Sequence, residues 1–175
     1  GTVIEGLTIT NGSTEIGSGN GDWGPDYMGG GVYLDGCNPV IRNCTISNNT
    51  AWQDGGGIYC TGSSPTIDNC TIDGNQTLWQ DGGGMICWIS CTPLISNTTF
   101  TDNSAGDTGG GILVGMSSSL TLTDCTVSGN TAGDDVGGGV YRRDDATLAL
   151  SGTLVCGNSP DQIYPATGYI DNGGN

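Results

Sequence analysis

The chain contains no lysine and no histidine, and its three basic residues are Arg42, Arg142 and Arg143. Set against 18 acidic residues, they leave a net charge of −15. Nucleic-acid recognition rests on a basic footprint that displaces counterions from phosphates, so that partner class is excluded. Docking on an anionic membrane is disfavoured for the same reason. There is no run of 18 apolar residues, so no membrane insertion by a helix is expected. On charge grounds the better partners are divalent cations and neutral glycans, and the acidity also serves solubility. No segment repeats its apolar residues with the 3.6 period of a helix. Paired CxxC motifs are missing too. Cys37, Cys44, Cys60, Cys70, Cys87, Cys91, Cys125 and Cys156 do not have zinc-ligand spacing.

What the chain does have is glycine at fixed intervals. Gly-Gly-Gly followed by an apolar residue begins at Gly29, Gly55, Gly82, Gly109 and Gly137, 26 to 28 residues apart. The 34 glycines keep to this period, which argues against a low-complexity, disordered chain. A fixed period of this size marks a repeat architecture. Three successive glycines cost backbone entropy. Repeating them five times implies a positive φ or a close backbone approach at one point of every repeat.

Between triplets a second segment recurs: Val40-Ile41-Arg42-Asn43-Cys44-Thr45-Ile46, then Thr66–Ile72, Leu94–Phe100 and Thr121–Val127, with a worn copy at Ala149–Val155. Ile67, Cys70 and Ile72 can all face inward only if the strand phase slips at Asn69. Asn43, Asn69, Asn97 and Asp124 are therefore expected as left-handed bends between two short strands. A second ladder of turn-forming asparagines is expected at Asn49, Asn75, Asn103, Asn130 and Asn158. One such unit cannot bury its own apolar face, whereas stacked copies can. The fold class read from this is all-β: a parallel β-helix (solenoid) of about six coils of 26–28 residues. At about 4.8 Å per coil it forms a rod roughly 25–30 Å long. Residues 1–158 make the solenoid, with a loop insertion at 13–28, and residues 159–175 an irregular C-terminal cap.

The units at 55–60, Gly-Gly-Gly-Ile-Tyr-Cys, and at 64–72, Ser-Pro-Thr-Ile-Asp-Asn-Cys-Thr-Ile, with Gly74-Asn75, resemble the right-handed parallel β-helix repeats of bacterial secreted and surface proteins. These are pectin-lyase-like in fold and similar to polymorphic outer-membrane protein repeats. The resemblance covers nearly the whole chain. It implies the right hand, an extracellular or cell-surface location, and a fold that carries enzymes, adhesins and structural rods alike. The enzymes of that fold use an Arg or Lys base with calcium, or clustered Asp with His and Arg-x-Lys. Those motifs are absent, and a non-enzymatic rod, adhesin or fibre subunit is the leading expectation. A solenoid exposes strand edges at its ends, and a head-to-tail contact that does not close gives a filament, so end-to-end self-association is expected.

Two alternatives remain open. The first is glycan binding or cleavage. Trp52 and Trp79 hold equivalent places in Trp-Gln-Asp-Gly-Gly-Gly, near the loop that carries Trp23 and Tyr27, and aromatic faces suit sugar rings. Asp54, Asp81, Asp107, Asp134 and Asp135 precede the triplets and are candidate calcium ligands, or solvated turn formers. The second is ice binding by a hydroxyl face formed from Thr8, Thr45, Thr71, Thr99 and Thr126, or simply an exposed strand where Thr is favoured. Cys44–Cys70 and Cys60–Cys87 are candidate disulfides, or buried free thiols. Asn11 and Asn48 are the more exposed glycosylation sequons. The glycine triplets are not phosphate loops, because no Lys follows them and no helix opens after them.

Overall fold

In the computed structural model, which describes residues 1–14, 27–134 and 136–173, the chain is a parallel β-solenoid. A partial first coil holds β1 (Val3–Glu5) and β2 (Thr8–Thr10). Four coils of four strands follow. They comprise β3 (Val32–Asp35), β4 (Val40–Arg42), β5 (Thr45–Ser47) and β6 (Thr50–Ala51); β7 (Ile58–Thr61), β8 (Thr66–Asp68), β9 (Thr71–Asp73) and β10 (Gln76–Thr77); β11 (Met85–Cys87), β12 (Leu94–Ser96), β13 (Thr99–Thr101) and β14 (Ser104–Ala105); and β15 (Ile112–Val114), β16 (Ser119–Thr123), β17 (Thr126–Ser128) and β18 (Thr131–Ala132). A fifth coil carries β19 (Val140–Arg142), β20 (Thr147–Ser151) and β21 (Leu154–Cys156). Each strand pairs in parallel with its equivalents above and below. The result is four sheets: one of seven strands from β1 to β23 (Ile170–Asp171), one of six from β2 to β21, a short one from β6 to β18, and one of six from β3 to β22 (Ile163–Tyr164).

The tail differs from the expected irregular cap. β22 (Ile163–Tyr164) pairs with β19 and β23 (Ile170–Asp171) pairs with β20, so the chain begins another turn over the last coil. Ile163 and Tyr169 lean on the core there. Physically, this continues the same rule: an uncovered coil leaves backbone groups and apolar side chains without partners.

The phase slip lies where the alternation requires it. Asn43, Asn69, Asn97 and Asp124 have φ between 49° and 54°, and Gly6 and Gly152 take the same place in the outer coils. After this bend a small side chain points inward: Cys44, Cys70, Thr98, Cys125 and Thr153, all buried. The second bend is displaced by one residue from the expected ladder. Asn48, Gly74, Asp102, Gly129 and Gly157 hold the positive φ, and Asn49, Asn75, Asn103, Asn130 and Asn158 turn inward. Each buried amide serves both neighbours. Asn75 Oδ1 accepts from Asn49 N at 3.0 Å and Asn49 Nδ2 at 2.9 Å, while Asn75 Nδ2 donates to Ile46 O and Asn103 Oδ1. Gln162 ends the column by offering its Oε1 to Asn158 as the next asparagine would.

The triplets divide their labour. Gly29, Gly55, Gly82, Gly109 and Gly137 have φ of 66–69°, which turns the chain into the next strand. The second and third glycines have no room for a side chain. A Cβ on Gly56 would lie 2.5 Å from Gln76 O and Gly83 O, and one on Gly57 2.5 Å from Gly84 O. Inside, Ile41, Ile67, Ile95, Leu122 and Leu150 stack against Ile46, Ile72, Phe100 and Val127. Each such side chain contributes about 1.5–3 kcal/mol.

Candidate functional site

The loops that leave the short sheet and enter the glycine corners form one ridge along the rod. They carry Trp52, Gln53 and Asp54; Leu78, Trp79, Gln80 and Asp81; Gly106, Asp107 and Thr108; and Gly133 and Asp134. The second loop is one residue longer than the first and bulges outward, which leaves Leu78 45% and Trp79 64% exposed. Gly106 in the coil above admits the bulge, since a Cβ there would meet Leu78 O at 2.7 Å and Trp79 N at 2.8 Å. Trp52 is half-buried, and its backbone N–H donates to Thr14 Oγ1 at 2.9 Å. The two indoles lie together as their equivalent places require, with ring centroids 5.8 Å apart and planes tilted by 45°. Tyr27 joins this end through its carbonyl, which accepts from Gln53 N at 3.0 Å. Trp23 and Asp135 lie outside the described residues.

The aspartates do not form one column. Asp54 and Asp81 both stand immediately before a triplet, and Asp54 Oδ1 accepts from Asp81 N at 3.1 Å. In the next coil that place belongs to Thr108, whose hydroxyl and amide both donate to Asp81 Oδ1, at 2.6 and 3.0 Å. Asp107 sits one residue earlier and meets Asp134. Burial, reinforced by the charges of Asp81 and Asp107, pushes the Asp54 carboxyl up to about 6. Asp107 is also pushed up to about 6, by burial first and then by Asp134. Asp81 is raised by burial, against the Thr108 donors and Arg143. Asp54 and Asp107 therefore change protonation near pH 6, where each can donate or accept hydrogen bonds. Among the described residues no set of three or more acidic or Cys side chains is placed to hold a metal ion.

Beside the ridge runs an outward file that sequence reasoning missed. Tyr33, Tyr59, Ile86, Leu113, Tyr141 and Tyr164 occupy one register position on the sheet from β3 to β22. Tyr33 and Tyr59 stack at 5.1 Å with planes 2° apart, and Tyr141 and Tyr164 at 5.7 Å with planes 16° apart. The middle of the file is covered by Trp88, over whose ring Arg143 lies at 5.5 Å. The signal was present in the sequence: every triplet is followed by an inward residue and then by Tyr, Ile or Leu.

The remaining candidates lie elsewhere. All eight cysteines are free, so the Cys44–Cys70 and Cys60–Cys87 pairs stand as thiols one coil apart. Cys44 and Cys70 donate back to Arg42 O and Asp68 O, and burial pushes the Cys60 and Cys87 thiols well above the ordinary range. Asn11 and Asn48 are exposed, yet both are bend residues with φ of 58° and 54°. Thr8, Thr45, Thr71, Thr99 and Thr126 are in register on the sheet from β2 to β21. Two residues on, the file Thr10, Ser47, Asp73, Thr101 and Ser128 is interrupted by Asp73, whose carboxylate accepts from the Thr101 hydroxyl at 2.7 Å.

A family model described as a right-handed beta helix region matches residues 1–172. No curated protein and no solved structure matches the chain.

Proposed function

The chain belongs to the right-handed β-helix family, and on that premise we propose that it is an exported, non-catalytic surface solenoid of the adhesin type that binds neutral carbohydrate on the ridge around Trp52 and Trp79. The observation that carries this reading is the paired indoles. They stand on a corner fixed by glycine geometry, one of them 64% exposed, with titrating carboxyl groups beside them. An aromatic pair with one exposed ring offers apolar area to the C–H face of a sugar ring, and adjacent carboxyls bind its hydroxyls. A net charge of −15 favours neutral over acidic glycans.

Binding is favoured over cleavage by the state of the arginines. Arg42 pairs with Glu5 at 2.8 Å, Arg142 donates to backbone carbonyls, and Arg143 lies over Trp88, so none stands ready as a base. The test is a panel of neutral oligosaccharides followed by calorimetry on the best ligand. Trp79→Ala and Trp52→Ala should each weaken binding by about tenfold or more, equivalent to about 1.4 kcal/mol. Unchanged affinity in both variants would remove the ridge from the account.

A further inference from the structure

Where the tail crosses the last coil, the mouth of the core column holds a cleft of about 320 Å³. Leu150, Val155 and Ile163, each from a different inward file, form its floor. Tyr169, which leans on the core, forms a wall. The first of these files changes character at the mouth. Ile4, Ile41, Ile67, Ile95, Leu122 and Leu150 hold one inward place in successive coils, and the next place, in register with Leu150, belongs to Asp171. Its neighbour Ile170 takes the outward side of the strand and is 59% exposed. The register thus turns a carboxylate towards an apolar floor, at the place where every coil below has an aliphatic side chain.

Asp161 lines the same cleft. Asp171 Oδ1 accepts from Gly173 N at 2.8 Å, which leaves its other oxygen to the cleft. Among the described residues no basic side chain lines the cleft or pairs with either carboxylate. Arg142, close by under the tail, gives its Nη atoms to the carbonyls of Arg143, Ala146 and Thr167. A carboxylate with water on one side and apolar surface on the other is best satisfied by a charged donor that brings apolar area with it. Two carboxylates over an aliphatic floor, beside an aromatic wall and in a cleft of small-ligand size, match an ammonium carried on an apolar body. The net charge of −15 raises the local concentration of such a cation. We propose that this cleft binds a small primary amine in its ammonium form, with the ammonium on Asp171 and Asp161 and the apolar body on Leu150, Val155 and Ile163. The site is separate from the Trp52–Trp79 ridge and does not depend on the carbohydrate reading.

The probe is 2-phenylethylamine, titrated into the full chain by calorimetry and NMR. 2-Phenylethanol keeps the apolar body without the charge, and methylammonium keeps the charge without the body. The proposal expects saturable binding of 2-phenylethylamine and about tenfold or greater weakening for each control. It expects a similar loss in Asp171→Asn, which keeps an Oδ1 for Gly173 N, and in Asp161→Asn. Asp171→Leu continues the aliphatic file, so it should lose the amine while Tm stays the same or rises, a pairing that a merely structural role of Asp171 does not give. No saturation by about 10 mM, roughly tenfold above the millimolar affinity expected of so small a ligand, would overturn the proposal. Affinity for 2-phenylethanol equal to that for the amine, or affinity unchanged in both asparagine variants, would do the same.

Discussion

The buried carboxyl of Asp54 links stability to pH in an unusual direction, and Asp54→Asn isolates the effect. In the folded chain the group is 7% exposed, and burial raises its pKa from 3.8 to about 6. In the unfolded chain it titrates near its ordinary value of about 3.9. Below that value both states are protonated and the folded chain bears no penalty. As the pH rises through 6 the folded chain must ionise a buried group, so stability is lost rather than gained. A shift of about two units corresponds to about 3 kcal/mol by pH 8. Asparagine has the same shape, keeps an Oδ1 for the Asp81 N–H now at 3.1 Å, and does not ionise. Urea unfolding of Asp54→Asn should match the parent within about 0.5 kcal/mol at pH 4. At pH 8 the variant should be more stable by roughly 2–3 kcal/mol, or about 5–10 °C in Tm for a chain of this size. An equal difference at both pH values would refute the reasoning. So would destabilisation at pH 8, which would mean that Asp54 is ionised and held by a cation.

Other outcomes follow from the same geometry. Asn75→Ala removes the acceptor of Asn49 N and Nδ2 and the donor to Ile46 O, all buried, and should cost about 3–5 kcal/mol in chemical denaturation. Gly83→Ala places a Cβ against Ser104 O and Gly110 O and should cost more than about 3 kcal/mol or abolish folding. Gly36→Ala, in open space but at φ of 60°, should cost about 1 kcal/mol. Thr71→Tyr, on the hydroxyl face, should leave carbohydrate affinity unchanged. Ice crystals faceted by the parent but not by this variant would instead move the function to that face.

The fold was legible because its constraints are local and repeated. The period of the triplets, and the impossibility of placing Ile67, Cys70 and Ile72 on one side of an unbroken strand, lead directly to a left-handed bend at Asn69. The second bend was harder to read. Asn48 and Asn49 are chemically identical, and only the pairs Gly74-Asn75, Gly129-Asn130 and Gly157-Asn158 reveal that the turn precedes the buried amide. The stacking of Trp52 on Trp79 follows from their shared place before the triplet. The aspartate register does not, because Thr108 and Val136 each displace the acidic residues before them from the place held by Asp54 and Asp81. Nor does the environment of Arg142, which depends on Thr167 and Gly168 returning over the last coil from 25 residues away.

The carbohydrate reading stands or falls on which indoles sense the ligand. The chain has four tryptophans, and Trp88, which covers the neighbouring tyrosine file under Arg143 and not the ridge itself, serves as an internal control. A titration of the best neutral oligosaccharide, followed through the indole N–H resonances by NMR, should shift Trp52 and Trp79 in parallel and leave Trp88 unmoved. Shifts confined to Trp88, or no shift of any indole at saturation, would contradict the account.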